Sequence, residues 1–145
     1  PASPEPAKRG TVKGDGFGSP DGLRFDERGV LWIQTDVSAS VLNKGDHANL
    51  GNNQMLVADV KSGETRRFLT GPKGCELTGI TATPDGKTLF VNIQHPGETA
   101  SERADPANPT AVSAWPANQF PQAVGGRPRS ATIVITQPDG KPVAA

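Results

Sequence analysis

The chain has 145 residues, of which 34% are hydrophobic, 17 are glycine and 14 are proline. This length allows one domain with its own core, and the many turn-forming residues favour short strands over long helices. The 15 basic and 15 acidic residues balance without a strong run of either sign, so we expect neither nucleic acid nor a membrane as a partner. No apolar stretch approaches the roughly 20 residues of a membrane-spanning helix, and the single cysteine excludes an internal disulfide.

The first half of the chain predicts a four-stranded antiparallel meander. Residues 1–16 are rich in Pro, Gly, Lys and Asp, and we expect a linker or an irregular lead-in there. A polar stretch over residues 38–53 predicts a long loop in the middle of the meander. The strands themselves are predicted at residues 23–26, 30–36, 54–60 and 65–70.

The same pattern begins again in the second half. Strands are predicted at residues 77–83, 88–94 and 131–136, with a long irregular loop over residues 99–129 before the last one. The run Leu89-Phe90-Val91 corresponds to Leu31-Trp32-Ile33 of the first unit. The Pro138-Asp139-Gly140-Lys141 turn is expected to lead out of the last strand with nothing after it to pair.

Apolar residues at consecutive strand positions indicate a sheet that is covered on both faces. Small repeated sheets of this kind are typical of β-propeller blades, whereas a single β-sandwich, the alternative, leaves its outer faces polar. The repeat favours an all-β fold of about two four-stranded antiparallel blades of a β-propeller. Two blades cannot close a ring, so we expect the C-terminal part of a larger propeller, whose remaining blades or whose self-association cover the open faces.

Glu76 is the most informative ionisable residue, because it stands beside the lone Cys75 directly before a predicted buried strand. An unpaired buried carboxylate is costly. A metal, another cation or partial solvation would each make it tolerable. The alternative is a glutamate in an exposed turn after Gly71-Pro72-Lys73-Gly74.

Several motifs spread over most of the chain resemble the C-terminal part of the PhoX-type alkaline phosphatases. The resemblance implies that residues 17–145 belong to a β-propeller phosphatase-like domain. It further implies export through the twin-arginine route and hydrolysis of phosphomonoesters by calcium and iron held in a central channel, with other metal ligands on N-terminal blades that are absent here. The matching segments are Ser19-Pro20-Asp21-Gly22-Leu23, Gly29-Val30-Leu31-Trp32-Ile33-Gln34-Thr35-Asp36, Gly51-Asn52-Asn53-Gln54-Met55, Arg67-Phe68-Leu69-Thr70-Gly71-Pro72, Gly74-Cys75-Glu76-Leu77-Thr78-Gly79, Leu89-Phe90-Val91-Asn92-Ile93-Gln94-His95-Pro96-Gly97-Glu98 and Arg127-Pro128-Arg129-Ser130-Ala131-Thr132.

Within that resemblance, Glu76, Asp21 and Asp36 are the candidate metal ligands, because carboxylate oxygens suit hard cations such as calcium and ferric iron. Asp21 could equally be an ordinary Pro-Asp-Gly turn residue, and Asp36 could cap a turn with Thr35. Arg129 is the candidate phosphate contact, since phosphate prefers planar cationic donors. The alternative for an arginine in a Pro-rich loop is a solvated or structural role.

Further positions have a structural interpretation as well. Cys75 is expected to be a small buried apolar residue and not a ligand. His95 precedes Pro96, which predicts an extended backbone, and its ring could enter the site or satisfy a loop carbonyl. Neutral oxygens could also come from four amide residues that could instead be polar turn and strand residues, namely Asn52, Asn53, Asn92 and Gln94. Trp115 is expected to hold the long loop against a blade face.

The function that the sequence predicts is alkaline phosphatase activity, that is, metal-dependent hydrolysis of phosphomonoester small molecules. We expect it of the full-length protein, in the periplasm or secreted, with this chain inactive alone. Because a fold does not fix a function, two alternatives stay open. One is a non-catalytic calcium-binding propeller segment, and the other is a calcium-dependent lactonase-type hydrolase.

Overall fold

Two β-sheets make up the part of the protein that this computed structural model describes, which is residues 10–98, 105–119 and 126–144. The single helical element within those ranges is a 3-10 helix, Gly45–His47, in the predicted polar loop. None of the described residues forms a helix of the length and apolarity that crossing a membrane would need. The strands are β1 (Lys13–Gly14), β2 (Pro20–Phe25), β3 (Val30–Thr35), β4 (Gln54–Asp59), β5 (Glu64–Thr70), β6 (Glu76–Ala82), β7 (Thr88–Gln94) and β8 (Ala131–Thr136).

The first sheet has the strand order β1-β5-β4-β3-β2. Strands β2 to β5 are the predicted antiparallel meander. The lead-in adds a short fifth strand that the sequence did not indicate, because Lys13 and Gly14 pair in parallel with Glu64 and Thr65. Residues 1–9 of the predicted lead-in lie outside the described ranges.

The second sheet has the strand order β6-β7-β8, all antiparallel. It holds three strands within the described residues, one fewer than the predicted blade. Residues 99–104 and 120–125 of the predicted long loop lie outside those ranges. The chain is therefore all-β as predicted, with sheets of five and three strands.

The main hydrophobic core lies between the two sheets. Trp32 and Met55 from the first sheet meet Leu77 and Val91 from the second, and each is essentially inaccessible to solvent. Trp115 from the long loop is buried in the same cluster, which confirms that it anchors this loop to the fold. A smaller cluster of Ile33, Leu56 and Ala58 lies on the opposite face of the first sheet under Phe17 and Leu31.

Polar contacts also join the sheets. Arg24 Nη1 on β2 donates to the Ile80 carbonyl at 3.0 Å and to Thr81 Oγ1 at 3.1 Å on β6. After β8 the chain folds back, since the N–H of buried Val143 donates to Gly86 O at 2.9 Å and its carbonyl accepts from Arg28 Nη2 at 2.9 Å. The expected departure of the chain beyond the last turn is therefore wrong, because burying the Val143 side chain favours this return.

Candidate functional site

A cleft of about 440 Å³ opens where the two sheets meet, at the end of β3 and beside the start of β6 and the end of β7. The segment after β3 forms one side of it and the two segments that flank β6 and β7 form the other. It is lined by Asp36, Val37, Ser38, Ala39, Ser40, Leu42, Asn53, Gly74, Cys75, His95 and Glu98. Chain segments that are distant in sequence thus bring acidic and imidazole groups to one place.

Glu76 begins β6 beside this cleft, and its side chain is 12% exposed. Its Oε2 accepts a hydrogen bond from Gln94 Nε2 at 3.0 Å and lies 3.5 Å from His95 Nε2. Burial raises the pKa of Glu76, the charges of Asp36 and then Asp21 raise it further, and the neighbouring His95 opposes the shift. Asp36 and Asp21 therefore lie close enough for their charges to act on Glu76.

Local backbone structure explains where the two aspartates lie. In the β2–β3 pair, Pro20 is opposite Thr35 and Leu23 is opposite Ile33, so Asp21 and Gly22 form a bulge opposite the single residue Gln34. A side chain at Gly22 would clash, since its Cβ would lie 2.7 Å from the Gln34 side-chain oxygen. The bulge thereby sets the direction of the exposed Asp21 side chain.

Asp36 directly follows β3, and its N–H donates to the Ser19 carbonyl at 3.0 Å. Its neighbours Thr35 and Val37 are buried, whereas Asp36 itself is exposed. The backbone around this carboxylate is therefore fixed while its oxygens stay accessible at the cleft.

The backbone of His95 is left-handed, with φ of 36°, so the predicted extended conformation is wrong. Its N–H donates to Ser130 Oγ at 2.9 Å, and Gly97 N–H donates to Lys73 O at 2.8 Å, so a tight turn overrides the preference that Pro96 imposes. The imidazole lies between two carboxylates. Its Nε2 faces Glu76, and its Nδ1 is 3.0 Å from Glu98 Oε2 in a geometry that does not make a hydrogen bond.

Cys75 is buried in the core between the sheets, as the sequence indicated. Burial raises the pKa of its thiol to about 12, and the Glu76 charge adds to the shift. The thiol is therefore protonated at neutral pH and behaves as a small apolar group.

Asn53 connects the two sides of the cleft. Its Oδ1 accepts from Thr35 Oγ1 at 3.0 Å and from Val37 N–H at 2.7 Å. Its Nδ2 donates to Val37 O at 3.2 Å and to Cys75 O at 3.0 Å. Its Oδ1 and Nδ2 therefore each have two hydrogen-bond partners within the protein, the full number that an amide allows.

The donor set fits one edge of a cation site. Carboxylate oxygens are the ligands that calcium and ferric iron prefer, and the repulsion that Asp36 and Asp21 exert on Glu76 is the kind that a cation relieves. Across residues 10–98, 105–119 and 126–144, however, no three His, Cys, Asp or Glu side chains are grouped closely enough to hold a metal ion. A complete ligand set therefore needs groups beyond these side chains.

Comparison with known proteins decides the family. The family model described as "Alkaline phosphatase PhoX" matches residues 1–97, more than half of the chain. The chain belongs to the PhoX family. It is also similar to a solved structure, Pseudomonas fluorescens PhoX in complex with vanadate, a transition state analogue, at 50% sequence identity and a TM-score of 0.68. That match covers 86% of this chain and 18% of the other, so the chain spans less than a fifth of that relative. Among curated proteins nothing matches.

Arg129 of this PhoX-family chain makes no hydrogen bond or ion pair with Glu76, Asp36 or Asp21. It is exposed, and its guanidinium makes no hydrogen bond or ion pair with a described residue. Its backbone N–H donates to Trp115 O at 3.1 Å, and the adjacent Ser130 Oγ accepts from His95 N–H. Its predicted contact with phosphate stays a prediction, with the arginine free to make it.

Two hydrogen-bonding roles at the PhoX-family site were not predicted, although the sequence offered both Gln94 and Asn53 as possible neutral ligands. The amide of Gln94 bonds Glu76 because Glu76 and Gln94 are register partners in the β6–β7 pair, and strand alternation alone does not reveal such a pairing. Asn53 was weighed as a neutral ligand, whereas its oxygen already accepts two hydrogen bonds. The one sequence signal for its role was its place between a polar loop and a buried strand.

Proposed function

We propose that this chain supplies one wall of the metal-binding active site of a phosphomonoester hydrolase. Glu76, Asp36 and Asp21 would bind hard cations, with calcium and iron as the expected metals, and Arg129 would contact the phosphate. The single observation that carries the proposal is the meeting of carboxylates from both sheets beside one cleft, where Asp36 and Asp21 raise the pKa of Glu76.

Family membership supports the reaction class. The family is named for alkaline phosphatase activity, and vanadate in the similar Pseudomonas fluorescens structure is described as a transition state analogue. Because this chain spans only 18% of that relative, we propose the activity for the full-length protein and not for this chain alone. Export to the periplasm or outside the cell remains part of the same proposal.

Bound cations would neutralise the phosphoryl oxygens and lower the pKa of a bound water for in-line attack. The chain's own residues would bind the cations and orient the phosphate. Glu76 is held by Gln94 and faces His95, so its carboxylate has a fixed direction, whereas the exposed Asp36 and Asp21 can adjust. The guanidinium of Arg129 would pair with two phosphoryl oxygens at once.

The test compares Glu76→Gln with Glu64→Gln. Both variants remove one carboxylate charge at the first residue of a strand, but Glu64 is at the start of β5, where it pairs with Arg66. Calcium titration of the full-length protein by calorimetry is expected to show binding that Glu76→Gln weakens by at least about tenfold, equivalent to roughly 1.4 kcal/mol. Glu64→Gln should leave the affinity unchanged.

Turnover of p-nitrophenyl phosphate separates the remaining possibilities. The 145-residue chain is expected to show none, and the full-length protein is expected to show activity that Glu76→Gln abolishes. Calcium affinity that is equal in wild type and Glu76→Gln would refute the ligand assignment. Calcium binding by the full-length protein without phosphatase turnover would favour a non-catalytic calcium-binding segment, and lactone hydrolysis would favour the lactonase-type enzyme.

A further inference from the structure

We propose that Asn53 is a positioning residue that sets Asp36 and Glu76 at the correct separation across the two sheets. This inference rests on the proposed function, because it concerns the same two carboxylates. It differs from a ligand role: Asn53 would touch neither cation nor substrate, and would act through the backbone that carries both acidic residues.

The oxygen of Asn53 fixes the first sheet's side of the cleft. It accepts from the Thr35 hydroxyl and from the Val37 N–H, the residues on either side of Asp36. The Thr35 hydroxyl oxygen in turn accepts from Gln54 N–H at 2.9 Å. The backbone before and after Asp36 is therefore tied to the start of β4.

The nitrogen of Asn53 reaches the other sheet. It donates to Val37 O and to Cys75 O, the carbonyl of the peptide bond that joins Cys75 to Glu76. The Asn53 backbone is itself held, since its carbonyl accepts from Gly71 N–H at 2.8 Å. One amide group thus links the segment that carries Asp36 with the segment that carries Glu76.

The chemistry of this position is specific to an amide. A primary amide has two donor hydrogens and an oxygen with two lone pairs, and all four are used here. Asn53 is 4% exposed, so water cannot easily replace a lost bond. Since the oxygen has no lone pair left, Asn53 is unsuited to be the neutral metal ligand that its sequence context also allowed.

The experiment compares Asn53→Ala with Asn52→Ala in the full-length protein. Asn52 is the adjacent asparagine, and its side chain makes one hydrogen bond, from Nδ2 to Gly71 O at 3.2 Å, without reaching either carboxylate segment. The first readout is amide hydrogen exchange, and the second is calcium affinity by calorimetry. Asn53→Ala is expected to speed exchange at the Val37 amide and to weaken calcium about 10- to 100-fold, as loss of a group that orients a ligand does.

Asn52→Ala should change neither readout. A second variant, Asn53→Asp, separates the two halves of the link, since a carboxylate still accepts from Val37 N–H but cannot donate to Cys75 O. We expect it to keep the Val37 amide protected and to speed exchange at the Cys75 amide, which donates to Pro72 O at 3.2 Å. Asn53→Asp also decides the question should Asn53→Ala fail to fold.

Unchanged exchange at Val37 in Asn53→Ala, or unchanged exchange at Cys75 in Asn53→Asp, would overturn the proposal. So would calcium affinity in Asn53→Ala equal to that of wild type. A full-length wild-type protein that binds no calcium would instead overturn the proposed function, and the exchange pattern would still decide whether Asn53 holds the two segments.

Discussion

The burial of adjacent strand residues differs between the two sheets. On β4 of the first sheet, Met55 and Leu56 point to opposite faces and both are 0% exposed. On β8 of the second sheet, Ile133 packs against the core while Val134 is 61% exposed. The first sheet is covered on both faces at its inner strand β4, although Leu23 and Phe25 on its edge strand β2 are 64% and 61% exposed. The edge strand β8 of the second sheet is covered on one face within the described residues.

Part of this difference comes from position, since β4 is an inner strand and β8 an edge strand, and part comes from the segment that precedes β2. Phe17 packs over the small cluster on the far face of the first sheet, and the lead-in is held there because Thr65 Oγ1 donates to Asp15 O at 2.9 Å. The described residues place no equivalent segment over Val134. Consecutive apolar residues therefore indicate two buried faces only where a neighbouring segment exists to cover the second one.

The largest expected effect tests the two-sided burial of the first sheet. Met55→Ala and Leu56→Ala should each lower the free energy of unfolding by about 2–5 kcal/mol, because each leaves a cavity in a different cluster. Urea denaturation followed by circular dichroism measures both. A cost below about 1 kcal/mol for Leu56→Ala alone would show that the far face is not a true core.

The next effect concerns the turn that ties the first sheet to the C-terminal return. Asp26 is 12% exposed at its side chain and accepts from Arg28 Nη2 at 2.7 Å, from Val30 N–H at 3.1 Å and from Trp32 Nε1 at 3.3 Å. Burial alone would raise its pKa, but these hydrogen bonds outweigh burial and lower it below 3.8. Asp26→Asn should therefore cost about 1.5–3 kcal/mol at pH 7, the range for hydrogen bonds to a charged group.

The sign of the pH dependence follows from the lowered pKa of Asp26. Its stabilisation is complete above the unfolded-state pKa and is lost as the pH falls through the folded-state pKa. The difference between wild type and Asp26→Asn should be constant from pH 7 to about 5 and shrink below about pH 4. Glu27→Gln, the neighbouring exposed acid, is the control and should stay within about 0.5 kcal/mol. A difference that grows on acidification would contradict the assignment.

Strand placement followed from the sequence because turn clusters and β-branched runs are local signals. Strand β7 has the predicted bounds, Thr88–Gln94, and so does β8, Ala131–Thr136. Strand β1 was not predicted, since two residues with no β-branched side chain pair only because β5 offers an edge. The return of Val143 was likewise invisible, because it depends on Arg28 and Gly86 from distant turns.

The candidate site also has one part that the sequence predicted and another that only the structure shows. The sequence identified Glu76, Asp21 and Asp36 by residue type and by position beside strands, and their roles as ligands stay predictions. Their electrostatic proximity needed the structure, because it arises from the packing of β6 against β2 and β3. The left-handed backbone of His95 could not be predicted either, because its N–H donates to Ser130, which is 35 positions further along the chain.

The smallest expected effect sharpens the comparison at β8. Val134→Ala should change the free energy of unfolding by less than about 0.5 kcal/mol, the range for surface substitutions. Ile133→Ala, one residue away on the face that packs against the core, should cost about 1–2 kcal/mol, because a half-buried side chain loses part of the usual large-to-small penalty. Urea denaturation of the 145-residue chain measures both. Equal costs at the two positions would mean that the outer face of the second sheet is covered in solution, as self-association through β8 would do, and dilution would then lower the stability of the wild-type chain.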